Sequence, residues 1–349
     1  MREPISRRDF LKLASISVAS LAFQVSAPDT PLGQYHPVSR TPMIGRVTRN
    51  GITIYSYPDL KSQRIRKVNR DVLLNLLEEI ISPQGPDYNR RWYRLSDGFI
   101  HSAYVQRVEQ CHSNPPVQTV FARGQPGEVT KPFAQTFYKN REGNWVPMYR
   151  IYYQSVHWIT GVMEGMEGNP WYVLTDEWLR VNYCVPVEAI RLISPAELKP
   201  VSADIPEDQK RIEVNLKQQR LAVYEYNRVI FETEISSGIR YMETPEGDFH
   251  IMRKHPSKHM GDGGLTSDLR AYELVGVPWD SFFHPSGIAF HGTYWHDNFG
   301  YPMSHGCINM RPDDARWLFR WSLPSYNPNI TDRSGWKTNG NGTHVRILS

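Results

Sequence analysis

A short pattern of aromatic, aliphatic and turn-forming residues occurs twice in the chain, 79 positions apart. The first copy starts at Trp92-Tyr93 and the second at Trp171-Tyr172, and each continues as x-Leu-Ser/Thr-Asp-x-aromatic-aliphatic. An internal repeat indicates one structural unit built twice. Alternating residues before a Ser-Asp or Thr-Asp turn predict a β-hairpin over a small barrel core. We expect one ring of each Trp-Tyr pair to fill that core and the other to be exposed.

Each repeat unit resembles a bacterial SH3-like module, a kind of domain often found on secreted wall enzymes. Residues 45–109 and 117–193 fit the size of such a module. The resemblance implies that the two units bind cell-wall polymer and take no part in the chemistry. A rigid spacer without a ligand is the alternative.

The composition supports a turn-rich, mainly β protein of two or three units. The 349 residues include 26 Pro and 24 Gly, and no long helical repeat is present. With 40% apolar residues and a mean hydropathy of −0.51, the chain is neither a multi-span membrane protein nor fully disordered. The net charge is only +4, and no stripe of Lys and Arg follows the first 27 residues, so nucleic acid is not an expected partner.

The first 27 residues have the features of an export signal. Arg7 and Arg8 precede a modestly apolar run from Leu13 to Val25, and Val25-Ser26-Ala27 supplies small residues for cleavage. This order predicts a twin-arginine (Tat) signal peptide over 1–27 and a linker over 28–44. We therefore expect the protein in the periplasm, in the cell wall or outside the cell. An uncleaved anchor helix is the alternative, although the run is short.

The last 140 residues predict a further β-rich domain, which follows a linker near 194–209. Residues 211–216 and 221–224 alternate around a polar break and predict a hairpin, and 229–236 predicts a third strand. Pro312, followed by two acidic residues and an apolar run to Phe319, predicts a helix. Residues 343–348 predict a closing strand.

Residues with catalytic potential are concentrated at 290–309. Cys307 follows His305 and Gly306, and His291 ends an apolar strand sixteen positions before the cysteine. A thiol becomes a nucleophile when a base favours its thiolate, and His291 is the candidate base. A turn at Gly306 allows successive backbone N–H groups to converge on an oxyanion.

These residues resemble the signature of the L,D-transpeptidase (YkuD) family, which is a His, a spacer and then Ser/Thr-His-Gly-Cys. Here the matching residues are His291 and Ser304-His305-Gly306-Cys307. The segment Thr244-Pro245-Glu246-Gly247-Asp248-Phe249 resembles a second family motif, and Asp314-Ala315 matches the helix after the nucleophile. The resemblance covers about 209–348 and implies a β-sandwich catalytic domain with a short helix after the cysteine.

The family resemblance also implies the roles of these residues. Cys307 would attack the carbonyl of the third residue of a peptidoglycan stem tetrapeptide, release D-alanine and form a thioester. His291 would carry the proton, with its second ring nitrogen held by the Gly292 carbonyl. His305 and the amides of Gly306 and Cys307 would shape the oxyanion site. Passing the acyl group to an amine makes a 3→3 cross-link, and carbapenems are the implied covalent inhibitors. Neither a cofactor nor a metal is expected.

Six further residues are candidates for substrate binding. Asn309 stands where many family members carry Arg, and residues 254–280 are expected to form a lid over the cleft. The candidates are Tyr294, Trp295, Ser304, Asn309, Met260 and Tyr272.

Several alternatives remain open from the sequence. The acyl group may instead pass to water, which would make the protein an L,D-carboxypeptidase. A non-catalytic protein that holds wall peptides is a second alternative, which the intact His291 and Cys307 argue against. Cys111 and Cys184 could form a disulfide or remain buried thiols.

Overall fold

The protein is described from a computed structural model, which covers residues 36–39, 43–108, 114, 120–327, 329 and 337–349. Strands dominate these residues, and their apolar side chains form three separate hydrophobic cores. The predicted signal peptide and Cys111 lie outside the described residues. Within the described part, no helix is long and apolar enough to cross a membrane.

Nine strands build the first repeat unit. They form a six-stranded sheet in the order β1-β6-β7-β8-β3-β4 and a three-stranded sheet in the order β5-β2-β9. Its core includes Val47, Ile54, Tyr93 and Ile100. The strands are β1 His36–Ser39, β2 Met43–Val47, β3 Ile52–Tyr55, β4 Arg64–Val68, β5 Leu73–Leu76, β6 Glu78–Ile81, β7 Arg91–Leu95, β8 Gly98–His101 and β9 Val105–Val108.

The second repeat unit is one seven-stranded sheet in the order β12-β11-β15-β14-β13-β10-β16. Its core includes Val129, Tyr149, Tyr172 and Tyr183. The strands are β10 Gln125–Val129, β11 Phe133–Lys139, β12 Trp145–Tyr152, β13 Val156–Glu164, β14 Pro170–Thr175, β15 Asn182–Pro186 and β16 Ile190–Leu192.

The remaining strands form two five-stranded sheets around the largest core. The first has the order β19-β18-β17-β26-β20 and the second the order β24-β23-β22-β21-β25. The strands are β17 Lys210–Asn215, β18 Arg220–Glu225, β19 Arg228–Glu234, β20 Gly247–His250, β21 Arg253–Gly261, β22 Glu273–Phe282, β23 Ala289–Gly292, β24 Ile308–Met310, β25 Thr338–Asn339 and β26 His344–Leu348.

The predicted local elements of this domain are present. β17 and β18 form the expected hairpin, and β19 is the third strand. β26, the last predicted strand, lies inside the first sheet, where it pairs parallel to β17 and antiparallel to β20. The helix α1, Pro312–Trp321, starts at the predicted proline with two acidic residues in its first turn. It packs Leu318, Phe319 and Trp321 into the core.

Two expectations about the repeat units are wrong. Strand β1 lies within the segment 28–44 predicted as a linker, because its backbone pairs with β6. All four repeated aromatic side chains are buried, whereas one of each pair was expected to be exposed. Tyr55 and His101 pack edge-on against Trp92, and Phe137 and Trp145 pack against Trp171. These rings therefore offer no exposed stacking surface for sugars.

Candidate active site

Of two neighbouring parallel strands, one carries the predicted base, and the predicted nucleophile immediately precedes the other. β23 pairs with β24 so that Phe290 lies beside Ile308 and His291 beside Asn309. Phe290 and Ile308 both face the hydrophobic core. Successive side chains of a strand point to opposite faces, so His291 and Cys307, which precedes Ile308, share the other face of the sheet. The structure thus brings together two residues sixteen positions apart.

The thiol of Cys307 is half-buried and protonated at neutral pH. Burial raises its pKa to about 11, and the nearby Asp280 adds to the rise, while a hydrogen bond from the Ala289 backbone N–H partly offsets it. A neutral thiol is a poor nucleophile, so its proton must be removed during attack.

His291 is built to accept that proton. It is buried, and its Nδ1–H donates to the carbonyl oxygen of Gly292 at 3.1 Å, which is the contact that the family resemblance implied. This bond leaves Nε2 as the acceptor nitrogen. Burial lowers the pKa of His291 to about 4, so the ring is neutral at pH 7. In the described structure no hydrogen bond yet joins its ring to the Cys307 thiol, and catalytic hydrogen bonds commonly tighten only when substrate binds.

The turn before Cys307 is fixed by two hydroxyl groups. The Ser304 hydroxyl accepts from the Gly306 N–H at 3.1 Å and donates to the Cys307 carbonyl. Thr244 Oγ1 donates to the Gly306 carbonyl at 2.7 Å and accepts from the Gly238 N–H at 3.0 Å. Gly306 has φ +116°, a backbone region that favours glycine. The sequence predicted no role for the Thr244 motif, and the structure shows that Thr244 holds the turn.

This arrangement corrects two predictions. Ser304 was predicted to bind substrate, but it is buried and both of its hydrogen bonds stay within the turn. The Gly306 N–H was predicted as an oxyanion donor, but Ser304 occupies it in this structure. The Cys307 N–H is therefore the remaining one of the two predicted backbone donors to the oxyanion.

Two other predicted substrate contacts are structural. Tyr294 is 3% exposed, stacks on Tyr152 at 5.6 Å and donates its hydroxyl to the Val275 carbonyl at 3.0 Å. Asn309 is 1% exposed, and its amide nitrogen lies 2.9 Å from Nε2 of the buried His296. Because neither side chain reaches solvent, neither can contact a substrate without rearrangement.

Of the other three substrate candidates, Met260 lies on β21 and Tyr272 immediately precedes β22. Trp295 lies beside the predicted base. Most of the segment 254–280, predicted as a lid, instead forms the paired strands of the hairpin β21–β22 inside the second sheet, and residues 262–272 form the loop between them. The exposed Tyr272 hydroxyl lies 3.4 Å from Nδ1 of His305, which is also exposed. The Trp295 ring lies 5.7 Å from the ring of His291. Met260 is half-buried opposite Leu274 in the hairpin. Tyr272 and His305 therefore mark the mouth of the site, and Trp295 flanks the base.

A buried carboxyl group accompanies the catalytic pair and was missed by the sequence analysis. Asp280 on β22 is 0% exposed, and neither of its carboxyl oxygens has a hydrogen-bond partner among the described residues. Burial is the largest cause that raises the pKa of this carboxyl group well above its usual range. Burial thus favours its neutral form, and the negative charge of its ionised form would add to the rise of the Cys307 pKa.

The first repeat unit supports the loop that connects His291 to Cys307. Arg46 donates to the Tyr294 carbonyl at 2.8 Å, and the Asp297 N–H donates to the Ala103 carbonyl at 2.8 Å. The Tyr88 and Tyr301 rings pack 4.5 Å apart. Residues 46 and 294 are too distant in sequence for any local pattern to predict these contacts.

The remaining cysteine that the structure describes is not part of this site. Cys184 is a free, buried thiol whose pKa burial raises to about 11, and its Sγ lies 3.4 Å from the Met163 sulfur. The structure does not describe the other partner of the possible disulfide. Within the described ranges, no group of three or more His, Cys, Asp or Glu side chains is arranged to hold a metal ion.

Comparison with known proteins agrees with the fold and the motif. Residues 209–347 match the L,D-transpeptidase catalytic domain family, YkuD. This part of the chain is therefore similar to YkuD-type L,D-transpeptidase catalytic domains. L,D-transpeptidase 1 of Mycobacterium tuberculosis is 40% identical over 86 residues, which are 22% of this chain and 32% of that protein. The chain thus spans about a third of that relative's length.

Solved structures with similarity to the chain include two L,D-transpeptidases. One is from Xylanimonas cellulosilytica, at 24% identity over 40% of this chain and 60% of that chain, with a TM-score of 0.29. The other is the Enterococcus faecium catalytic domain acylated by ertapenem, at 24% identity over 40% of this chain and 97% of that chain, with a TM-score of 0.29.

Proposed function

We propose that the chain is a peptidoglycan L,D-transpeptidase that uses Cys307 as its nucleophile and His291 as its base. The observation that carries this proposal is the placement of a neutral, buried imidazole and a protonated thiol on one face of two paired strands. His291 has the protonation state of a general base at pH 7, and its orientation is fixed by the Gly292 carbonyl.

In the proposed acylation step, Cys307 Sγ forms a bond to the carbonyl carbon of the third stem residue while Nε2 of His291 takes the thiol proton. The tetrahedral intermediate collapses to a thioester, and the amine of D-alanine leaves with the proton from His291. The Cys307 N–H is the proposed donor to the oxyanion.

In the second step an amine of another stem peptide attacks the thioester and gives its proton to His291. The cysteine leaves as a thiol, and a 3→3 cross-link results. Water as the acceptor would give a tripeptide by the same chemistry. Incubation with a purified tetrapeptide muropeptide separates the two outcomes, because cross-linking yields dimers and hydrolysis yields tripeptides.

We also propose that the enzyme is exported through its twin-arginine segment and that the repeat units retain it at the wall. The order of basic, apolar and small residues in 1–27 supports export. Wall binding rests on the resemblance of the repeat units to SH3-like modules, and since the four repeated rings are buried, it needs another surface of those units.

The first test uses a carbapenem as an activated acyl donor, because the ring-opened drug remains attached to the nucleophile. Intact-protein mass spectrometry should show one added drug mass on the full chain and none on Cys307→Ala. His291→Gln should acylate about 10²–10⁴-fold more slowly. The rate for the native protein should fall in acid only near the pKa of His291, about 4.

Cys184→Ala is the matched control, since it removes the other described thiol. Its rate should equal that of the native protein. Drug attached to Cys307→Ala, or a loss below tenfold in His291→Gln, would show that the nucleophile or the base is a different residue.

A further inference from the structure

The hairpin β21–β22 is joined to the second repeat unit by a buried charged cluster, which we call the clasp: Asp176, Glu177, Lys258, His259 and Glu273. At its centre, Nδ1 of His259 lies 2.6 Å from an oxygen of Asp176, and Nε2 lies 2.7 Å from an oxygen of Glu273. These three side chains are 1%, 1% and 7% exposed. One imidazole thus connects two carboxyl groups from separate parts of the chain.

The geometry requires a charged histidine. Both ring nitrogens face carboxyl oxygens, so both must carry hydrogens if both carboxyls are ionised. Burial alone would lower the pKa of His259, but the hydrogen bonds and charges of Asp176 and Glu273 outweigh burial and raise it. Burial likewise opposes ionisation of Asp176, yet His259 and the Leu179 and Trp178 N–H groups lower its pKa.

Neighbouring groups complete the clasp. Glu177 pairs with Lys258 at 2.5 Å and accepts from the backbone N–H of His259 at 3.2 Å. Glu273 also accepts from the N–H groups of Gly263 and Gly264, at the end of the hairpin. The Trp178 ring meets the His259 ring edge-on at 5.4 Å. The hairpin end is therefore held by ion pairs, by backbone hydrogen bonds and by an aromatic contact.

Burial favours the neutral forms of the other titratable groups packed around His259. Burial raises the pKa of Tyr149 and of Tyr183, lowers that of His157 to about 3, and raises that of Asp280. The charges that act on His259 are thus those of the clasp, with three carboxylates against two cations.

The clasped segment reaches the mouth of the active site. Tyr272 immediately precedes Glu273, and its hydroxyl lies 3.4 Å from His305. Burial raises the pKa of Tyr272, and the nearby Cys307 adds to the rise. The carboxyl group held by His259 is therefore one residue away from a side chain at the entrance to the nucleophile.

We propose that His259 is a positioning residue, through which the second repeat unit holds the β21–β22 hairpin over the catalytic cleft. The inference rests on the proposed function only in naming that cleft as the acylation site. The clasp is complete below the ordinary histidine value of 6.5 and is lost as pH rises through the raised pKa of His259. The hairpin should therefore loosen at alkaline pH.

Hydrogen exchange of the full chain, measured by mass spectrometry and corrected for intrinsic exchange rates, tests the clasp directly. Peptides from 262–273 and 176–181 should exchange at least about tenfold faster in His259→Gln than in the native protein near pH 6.5. The native protein should lose this protection as pH rises, whereas His259→Gln should show no further loss. Because His259→Gln removes the titrating ring, a pH dependence of protection that is lost in this variant belongs to His259.

The matched control is His344→Gln, because His344 forms an exposed pair with Asp248 at 2.8 Å on β26. It should leave both peptides unchanged. If His259→Gln does not fold, Glu273→Gln removes one arm of the clasp and should give a smaller loss of protection. Native protection in both variants, the same loss in His344→Gln, or a pH-independent native hairpin would overturn the proposal.

Carbapenem acylation gives the second readout. If the hairpin positions the cleft, the acylation rate of His259→Gln should be reduced near pH 6.5 and should approach that of the native protein at alkaline pH. Absence of any drug adduct on the native protein would defeat the proposed function, while the exchange data would still decide whether the clasp exists.

Discussion

Arg46 provides the sharpest test of how the first repeat unit supports the catalytic loop. Its guanidinium is 1% exposed and donates to Gln106 Oε1 at 2.8 and 3.0 Å, to Asp71 at 3.0 Å and to the Tyr294 carbonyl at 2.8 Å. It also lies 4.0 Å from the centre of the Tyr152 ring, on which Tyr294 stacks. Replacement by Met keeps the apolar stem and removes every donor.

The loss of stability follows from the acceptors left behind. In Arg46→Met the Tyr294 carbonyl and Gln106 Oε1 lose their donor, whereas Asp71 retains Arg150 at 2.8 Å. An unsatisfied buried acceptor costs about 1–3 kcal/mol, so two cost about 2–6 kcal/mol. Breaking a buried ion pair by removing one partner costs about 3–5 kcal/mol, which lies in the same range. We therefore expect the free energy of unfolding to fall by about 4 kcal/mol.

Urea unfolding of the full chain measures this change, and Arg66→Met is the matched control. Arg66 pairs with Asp97 at 2.6 Å, but both side chains are at least 40% exposed, so its loss should cost under about 1 kcal/mol. Folded Arg46→Met should also acylate more slowly, because Tyr294 lies three residues after His291. Equal unfolding energies for the two variants would refute the reasoning, as would an unchanged acylation rate in a destabilised Arg46→Met.

Two further predictions concern a buried acid and the export signal. The pKa of Asp280 is raised in the folded state, so between the ordinary value of 3.8 and this raised pKa the folded protein keeps a proton that the unfolded chain has lost. Over that pH range the free energy of unfolding should fall by about 1.4 kcal/mol per pH unit. Asp280→Asn should remove this slope in urea titrations at several pH values, and an unchanged slope would contradict burial of an acid here. Replacing Arg7 and Arg8 by Lys keeps the charge, so accumulation of the precursor in the cytoplasm is expected if the Tat route reads the guanidinium pair. Normal export of that variant in a fractionation assay would favour the general secretion route.

Features that depend on local chemistry were predictable from the sequence. The β17–β18 hairpin follows from alternation around a polar break, and the start of α1 follows from Pro312 with two acidic residues after it. The position of His291 on a short apolar strand and the turn at Gly306 were also predictable, because they rest on residues next to one another in the chain. These features are enough to locate the catalytic pair.

Features that depend on packing between distant segments were not predictable. Tyr294 was expected to contact substrate, yet it is buried, and Tyr152 and Arg46 from the repeat units pack against it or its backbone. Asn309 is polar and was expected to contact the substrate, yet it is buried against His296. Alternation likewise predicted one exposed ring in each Trp-Tyr pair, but side chains from other strands cover the outer ring too. Period-two patterns identify the two faces of a strand and do not show what covers each face.

The same packing shifts the pKa values of Cys307 and His291. The pKa values of about 11 for Cys307 and about 4 for His291 differ by about seven units, so moving the thiol proton to the imidazole in the empty site costs on the order of 10 kcal/mol. The neutral thiol and the neutral imidazole are therefore the favoured resting forms, and we expect deprotonation to accompany attack on a bound carbonyl, where the charge passes to the oxyanion. Burial imposes this cost, and burial here depends on a loop held by Arg46 and a hairpin held by His259. The proposed nucleophile and base both lie outside the repeat units, whose contacts with the loop and the hairpin support the segments around this pair. We therefore expect the catalytic domain cut free of them to have a lower cysteine pKa and a weaker preference for a bound acyl donor over small thiol reagents.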